Sequence, residues 1–219
     1  MRFVYVLDQD PEVRKSVTRL FGNYSDILVR TFANGASFLA AANSLDPGVL
    51  LIELEMPEMS GMAVLDALRA QGDDRIVPVL LTGATTVPLV VRAMKMGAVD
   101  LVSKPYEADA LLAKVETAFA RLAANRAATM VESEARGKIE HLSGRERDVL
   151  RRLFEGQANK VIAHDLSISP RTVEIYRANM MKKLGVRSLA ESVRLVFAAR
   201  WDMDDSEEHD WAGARHMAA

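Results

Sequence analysis

The chain has 219 residues, 49% hydrophobic and 26% charged, with a formal net charge of −2. That length suits one large domain or two small ones, and that composition excludes disorder as the main state. The lack of cysteine excludes disulfides and thiolate chemistry; no apolar run approaches the ~18 residues of a membrane span, and the start is no signal peptide, so a cytoplasmic location without a membrane partner is expected.

RFVYVL (2–7) is a strand-like apolar run. Asp10-Pro11-Glu12 then opens a helical pattern carried by Val13, Val17, Leu20 and Phe21. ILVRTF (27–32) reads as a second strand and 35–42 as a short helix. GVLLI (48–52) is wholly apolar, as in a strand covered on both faces. Ser60-Gly61 begins a helix to about Ala70, and VPVLL (77–81) is another buried strand. A helix near 86–96 ends at Gly97, AVDLV (98–102) is the fifth strand, and 107–122 is a helix with Leu111, Leu112, Val115 and Phe119 on one face. Five strand–helix alternations imply an α/β fold with a doubly wound parallel sheet over 1–120. Chemistry in such sheets sits at the carboxyl ends of the strands, near the switch in strand order.

Those ends carry Asp8, Gln9 and Asp10 after the first strand and Glu53 after the third. Thr82 ends the fourth, and Lys104-Pro105 follows the fifth. Any one of these residues is as readily a solvated strand end as a functional group. Together they place carboxylates, a hydroxyl and an ammonium around one pocket.

The stretches DQDPEVRKS, EMPEMSG and LTGATTVPLVVRAMKMGAVDLVSKP, at their spacing, resemble the receiver domain of FixJ/NarL-type response regulators, a flavodoxin-like (βα)5 fold. The resemblance implies two acids after the first strand that hold Mg²⁺ and an aspartate after the third that takes a phosphoryl group from a histidine kinase. It also implies a Thr or Ser that turns toward the phosphoryl oxygen and a Lys that pairs with it. An aromatic residue three positions before that Lys swings inward, and the Lys104–Pro105 bond is expected to be cis.

This chain departs from that pattern in the pocket. The phosphoacceptor position is Glu53, the acid pair is Asp8 and Gln9, with Asp10 one residue further along, and the aromatic position is Leu101; Thr82 and Lys104 match. Mg²⁺ relies on carboxylate ligands in near-octahedral geometry, so Gln9 weakens the site. Glu53 is one methylene longer than aspartate, and phosphoryl transfer is mostly positioning and charge neutralisation. The expectation is weak or absent Mg²⁺ binding, no other metal or cofactor, and a degenerate, phosphorylation-independent receiver with a Glu53–Lys104 ion pair. A conventional phosphorelay regulator is the alternative.

Residues 121–138 are rich in Ala and charges and read as a linker. It either continues the preceding helix, with Gly137 as its end, or forms a flexible tether.

Residues 139–200 carry 12 Lys+Arg against 7 Asp+Glu, a balance suited to a nucleic-acid partner. Four helical patterns follow one another. Ser143 and Glu146 form a capping box ahead of Val149, Leu150, Leu153 and Phe154, and Gly156 stops that helix. Asn159 to Leu166 is a two-turn helix, Ser167-Ile168-Ser169 a tight turn, and Pro170 the first residue of a helix running to Gly185. Ser188 caps the last helix. Short helix, turn and longer basic helix make a helix-turn-helix. LSGRERDVL, NKVIAHDL, SPRTVE and KKLGV resemble the LuxR-type DNA-binding module at its full length, an all-α four-helix unit.

Along the recognition helix Val173, Tyr176, Met180 and Leu184 recur at core spacing. The resemblance puts Glu174, Ile175 and Ala178 toward the major groove of double-stranded DNA, with Thr172 near the helix start. Arg171, Arg177, Lys182 and Lys183 read as phosphate contacts, aided by Asn159 and Lys160. Each of these cations is otherwise an ordinary solvated charge. Leu189, Val193, Val196 and Phe197 share a stripe on the last helix, which in the family pairs two modules, so a homodimer is expected. The tail 201–219, with 1 Lys+Arg against 6 Asp+Glu, either is disordered or folds back on the basic module.

No phosphate-binding, dinucleotide or nucleophile-elbow motif occurs, and His141, His164, His209 and His216 lack metal spacing, so an enzyme is not expected. The composite reading is a transcriptional regulator: receiver-like domain 1–120, linker 121–138, DNA-binding domain 139–200 and acidic tail 201–219.

Overall fold

Five strands build one parallel sheet: β1 (Arg2–Leu7), β2 (Ile27–Phe32), β3 (Gly48–Ile52), β4 (Ile76–Thr82) and β5 (Asp100–Ser103). Their order is β2-β1-β3-β4-β5. The computed structural model describes residues 1–83 and 86–201. The chain divides into two compact units, with the boundary between Ala127 and Ala128.

The period of two along each strand sorts the core of the first unit into two layers. Val4, Val6, Val49, Leu51, Val79 and Leu81 face one side. Tyr5, Leu7, Leu50, Ile52 and Leu80 face the other. Helices α1 (Pro11–Phe21) and α5 (Ala108–Glu140) cover the first layer with Val17, Phe21, Leu111, Val115 and Phe119. Helices α2 (Gly35–Ala42), α3 (Gly61–Ala70) and α4 (Val87–Lys95) cover the second with Phe38, Leu65, Leu68 and Ala93. This is the flavodoxin-like arrangement expected from the alternation of apolar runs.

Two boundaries differ from the sequence reading. The fifth strand starts at Asp100 because Gly97, at φ 102°, and Ala98 still close the end of α4; Ala98 donates back to the Ala93 carbonyl. Gly137 does not end a helix, since α5 continues to Glu140. A helical glycine costs about 1 kcal/mol relative to alanine. Around it lie the i,i+4 pairs Glu132–Arg136 and Glu134–Lys138, at 3.4 and 2.7 Å, and the buried Ile139. The Lys104–Pro105 bond is cis, as expected.

The second unit packs α6 (Gly144–Phe154), α7 (Asn159–Asp165), α8 (Pro170–Leu184) and α9 (Leu189–Ala198) around Ile139, Val149, Leu150, Ile162, Val173, Met180, Leu184 and Val196. The capping box at Ser143 and Glu146 is present, Gly185 closes α8 in the left-handed region at φ 70°, and Ser188 caps α9. Tyr176 packs against this core, as its spacing predicts. On α9 the expected stripe divides: Val196 is buried, whereas Leu189 and Phe197 are exposed. Beyond Trp201 the acidic tail lies outside the described residues. Among the described residues no helix is long and apolar enough to cross a membrane.

Candidate functional site

The strand order reverses beside β1, which lies between β2 and β3. Leu7 pairs with Ile52, so the residues after β1 and β3 leave the sheet side by side. Glu53 N donates to the Leu7 carbonyl at 2.9 Å. Thr82 pairs with Ser103, and Lys104 N donates to the Thr82 carbonyl at 2.9 Å, which brings the lysine to the same rim. Asp8, Glu53 and Thr82 are all buried.

Lys104 Nζ donates to Asp8 Oδ2 at 2.5 Å and to Glu53 Oε2 at 2.7 Å, so one ammonium bridges two carboxylates. The other oxygen of each carboxylate takes a backbone donor: Asp10 N to Asp8 Oδ1 at 2.8 Å, and Glu55 N to Glu53 Oε1 at 3.0 Å. Burial pushes the Lys104 ammonium down, but its bonds to Asp8 and Glu53 outweigh this and hold it above the ordinary lysine value.

The structure therefore brings Asp8, Glu53 and Lys104 into direct contact and gives Asp10, Gln9 and Leu101 other partners. Asp10 caps α1, its Oδ1 accepting from Glu12 N at 2.8 Å. Gln9 Nε2 donates to the Glu55 carbonyl at 3.1 Å. Leu101 is half-buried and packs against the second core layer. Among the described residues no group of three or more His, Asp or Glu is disposed to hold a metal ion.

Three contributors were not singled out in the sequence as parts of the pocket. Arg14 Nη1 donates to the Asp8 and Gln9 carbonyls at 2.6 and 2.9 Å and fixes the acid loop from α1. Glu55 supplies both its amide and its carbonyl. Gly61 packs so closely that a Cβ there would lie 2.3 Å from the Glu53 carbonyl oxygen. Of these, only Gly61 left a trace in the sequence, as half of the Ser-Gly pair that starts α3.

In the second unit, α7 and α8 form the helix-turn-helix, with Ser167 at φ 54° in the turn. Ser169 Oγ accepts from Thr172 N at 3.0 Å and pairs with Thr172 Oγ1 at 2.8 Å, which spends Thr172 on the cap of α8. Lys160, Arg171, Glu174, Ile175, Ala178 and Lys182 are exposed. Arg177 Nη1 donates to Asn159 Oδ1 at 2.6 Å and so joins α8 to α7. Lys183 is exposed as well, but its Nζ lies 2.6 Å from Oε2 of the buried Glu146.

Residues 4–116 match the response regulator receiver domain model, and 140–196 match that of the luxR family of bacterial regulatory proteins. The transcriptional regulatory protein FixJ of Azorhizobium caulinodans is 42% identical over 196 residues, covering 90% of this chain and 92% of that protein. FixJ of Rhizobium meliloti is 40% identical over 197 residues, covering 89% and 95%. Among solved structures, the response regulator StyR aligns with a TM-score of 0.72 at 36% identity, covering 90% of this chain and 98% of that one. Full-length FixJ from B. japonicum aligns with a TM-score of 0.56 at 37% identity, covering 91% and 97%. Receiver sheet, helical unit and these likenesses extend over nearly the whole chain, and they identify it as a FixJ-like two-component response regulator, a transcriptional regulator with a luxR-type DNA-binding domain.

Proposed function

We propose that the receiver of this regulator signals by its resting geometry, without accepting a phosphoryl group, and that the helical unit grips duplex DNA as a homodimer. The observation that carries the first part is the bridge from Lys104 to Glu53 and Asp8. In the receiver pattern that lysine pairs with a transferred phosphoryl group. Here its hydrogen bonds already go to two resident carboxylates, and Glu53 additionally holds the Glu55 amide. An incoming phosphoryl group would meet a Glu53 carboxylate that is longer than aspartate and already engaged on both oxygens.

The Mg²⁺ that the fold family implies does not fit this donor set. Asp10 is committed to the α1 cap, Gln9 replaces a carboxylate, and a divalent cation bridging Asp8 and Glu53 would face the Lys104 ammonium at hydrogen-bond distance from both. No step of the proposed signalling passes through the metal.

For DNA, Glu174, Ile175 and Ala178 read base edges in the major groove. Arg171, Arg177, Lys160 and Lys182 hold phosphates, with Asn159 acting through Arg177. The exposed Val87, Val91 and Met94 on α4 and the exposed Leu189 and Phe197 on α9 supply apolar surface for pairing two copies. A histidine kinase then has no covalent role, and control comes from a ligand, a partner or abundance, inside the cytoplasm.

The test measures oligomeric state and affinity for a labelled duplex with and without acetyl phosphate plus Mg²⁺. Unchanged dimerisation and unchanged affinity are expected. Stimulation of either would favour the conventional phosphorelay reading.

A further inference from the structure

Lys183 is the last residue before the Leu184–Gly185 end of the recognition helix α8. A lysine there reads naturally as a phosphate contact, like its neighbour Lys182. The structure gives it another use. Glu146 Oε2 accepts from Lys183 Nζ at 2.6 Å, from Ser143 N at 2.7 Å and from Ser143 Oγ at 2.9 Å. One carboxylate oxygen thus closes the capping box of α6 and receives the ammonium of α8. The Glu146 side chain is only 5% exposed.

A buried carboxylate without its cation is expensive, whereas a lysine on a DNA phosphate must leave its partner behind. The contrast with Arg177 is instructive. Its partner Asn159 is neutral, so the guanidinium keeps a full charge for DNA; Lys183, with a side chain 44% exposed, has its ammonium set on the buried Glu146 carboxylate. Ser169 fixes the start of α8, Asn159 its middle and Glu146 its end.

We propose that Lys183 is a positioning residue that holds the C-terminal turn of the recognition helix on the α6 cap through Glu146, and that it contributes no phosphate contact. This rests on α8 being the DNA-reading helix. Because the ammonium stays neutralised on binding, it releases no counterion from DNA and adds nothing to the salt dependence.

The test uses the full chain, a labelled random-sequence duplex, a range of salt concentrations and parallel thermal melts. Lys182→Met should flatten the salt slope by about 0.9, the value for one lost phosphate contact. Lys183→Met should weaken binding without changing the slope and lower the melting transition of the DNA-binding unit by at least about 5 °C. Lys183→Arg should restore both, and Glu146→Gln should lower the same transition. The double variant Glu146→Gln/Lys183→Met, which leaves no unpaired buried charge, should be no less stable than either single. A slope reduced by Lys183→Met as much as by Lys182→Met, with melting unchanged, would overturn the proposal. If the parent chain shows no salt-dependent duplex binding, the DNA reading fails. The melting cycle still decides the Glu146–Lys183 link, because additive losses would refute it.

Discussion

Lys104 stands between Asp8 and Glu53, within 2.7 Å of a carboxylate oxygen of each, at the rim where the first, third and fifth strands end. Removing the cation leaves two buried carboxylates facing one another. Lys104→Met should therefore destabilise the receiver unit by about 3–5 kcal/mol, the range for breaking a buried pair from one side. Urea unfolding of the full chain checks this. A loss below about 1 kcal/mol, the scale of an exposed pair, would mean that the bridge is solvated.

Gly61 supports that pocket from behind. A Cβ at this position would press on the Glu53 backbone carbonyl at 2.3 Å, a contact that no side-chain rotation relieves. Gly61→Ala should cost about 1–3 kcal/mol and shift the amide resonances of Glu53 and Glu55. Unchanged resonances at both would contradict the close packing of this loop.

Alternating apolar runs revealed the doubly wound sheet, since each strand buried on both faces writes a short continuous run such as GVLLI. The pocket was legible as a set of residue types because strand ends are fixed by the fold. What each side chain does there was only partly legible. The Glu53–Lys104 pair follows from two strand ends meeting, and Asp10-Pro11-Glu12 marks the start of α1, but that the Asp10 carboxylate itself takes the Glu12 amide is visible only in the structure. Lys183 shows the same limit: adjacent lysines look alike in sequence, and only the depth of Glu146 separates them. Gly137 misled because local ion pairs and the burial of Ile139 override its weak helix preference.

The pH response of the second unit follows from Glu146. Burial pushes its carboxyl up, but the bonds from Lys183 and Ser143 outweigh this and hold it below the ordinary glutamate value. A carboxyl lowered in the folded state stabilises fully above its unfolded value of about 4.3 and loses that contribution as the pH falls below it. Melts of the parent chain and of Glu146→Gln between neutral pH and about pH 3 should converge as the acid end is reached. A constant gap across that window would remove Glu146 as a source of acid sensitivity.

Base reading and phosphate holding separate by salt. Arg177→Ala should weaken binding to every duplex and reduce the salt slope by about 1, while Glu174→Ala should mainly change sequence preference. Competition binding against a randomised duplex pool measures both. An Arg177→Ala variant with parental affinity and slope would refute the docking of α8 in the major groove.

The pocket substitutions also predict a reversal. Gln9→Asp/Glu53→Asp restores the acid pair and the shorter acceptor beside a retained Lys104, so this double variant should gain Mg²⁺-dependent labelling by acetyl phosphate. Failure to gain it would show that Leu101 or the surrounding loops also bar the reaction.

The most direct measurement is the intact mass of the parent chain after incubation with acetyl phosphate and Mg²⁺, followed by peptide mapping around residue 53. The resting Glu53–Lys104–Asp8 bridge predicts no added phosphoryl group. A hydroxylamine-sensitive phosphoryl group mapped to Glu53 would contradict it.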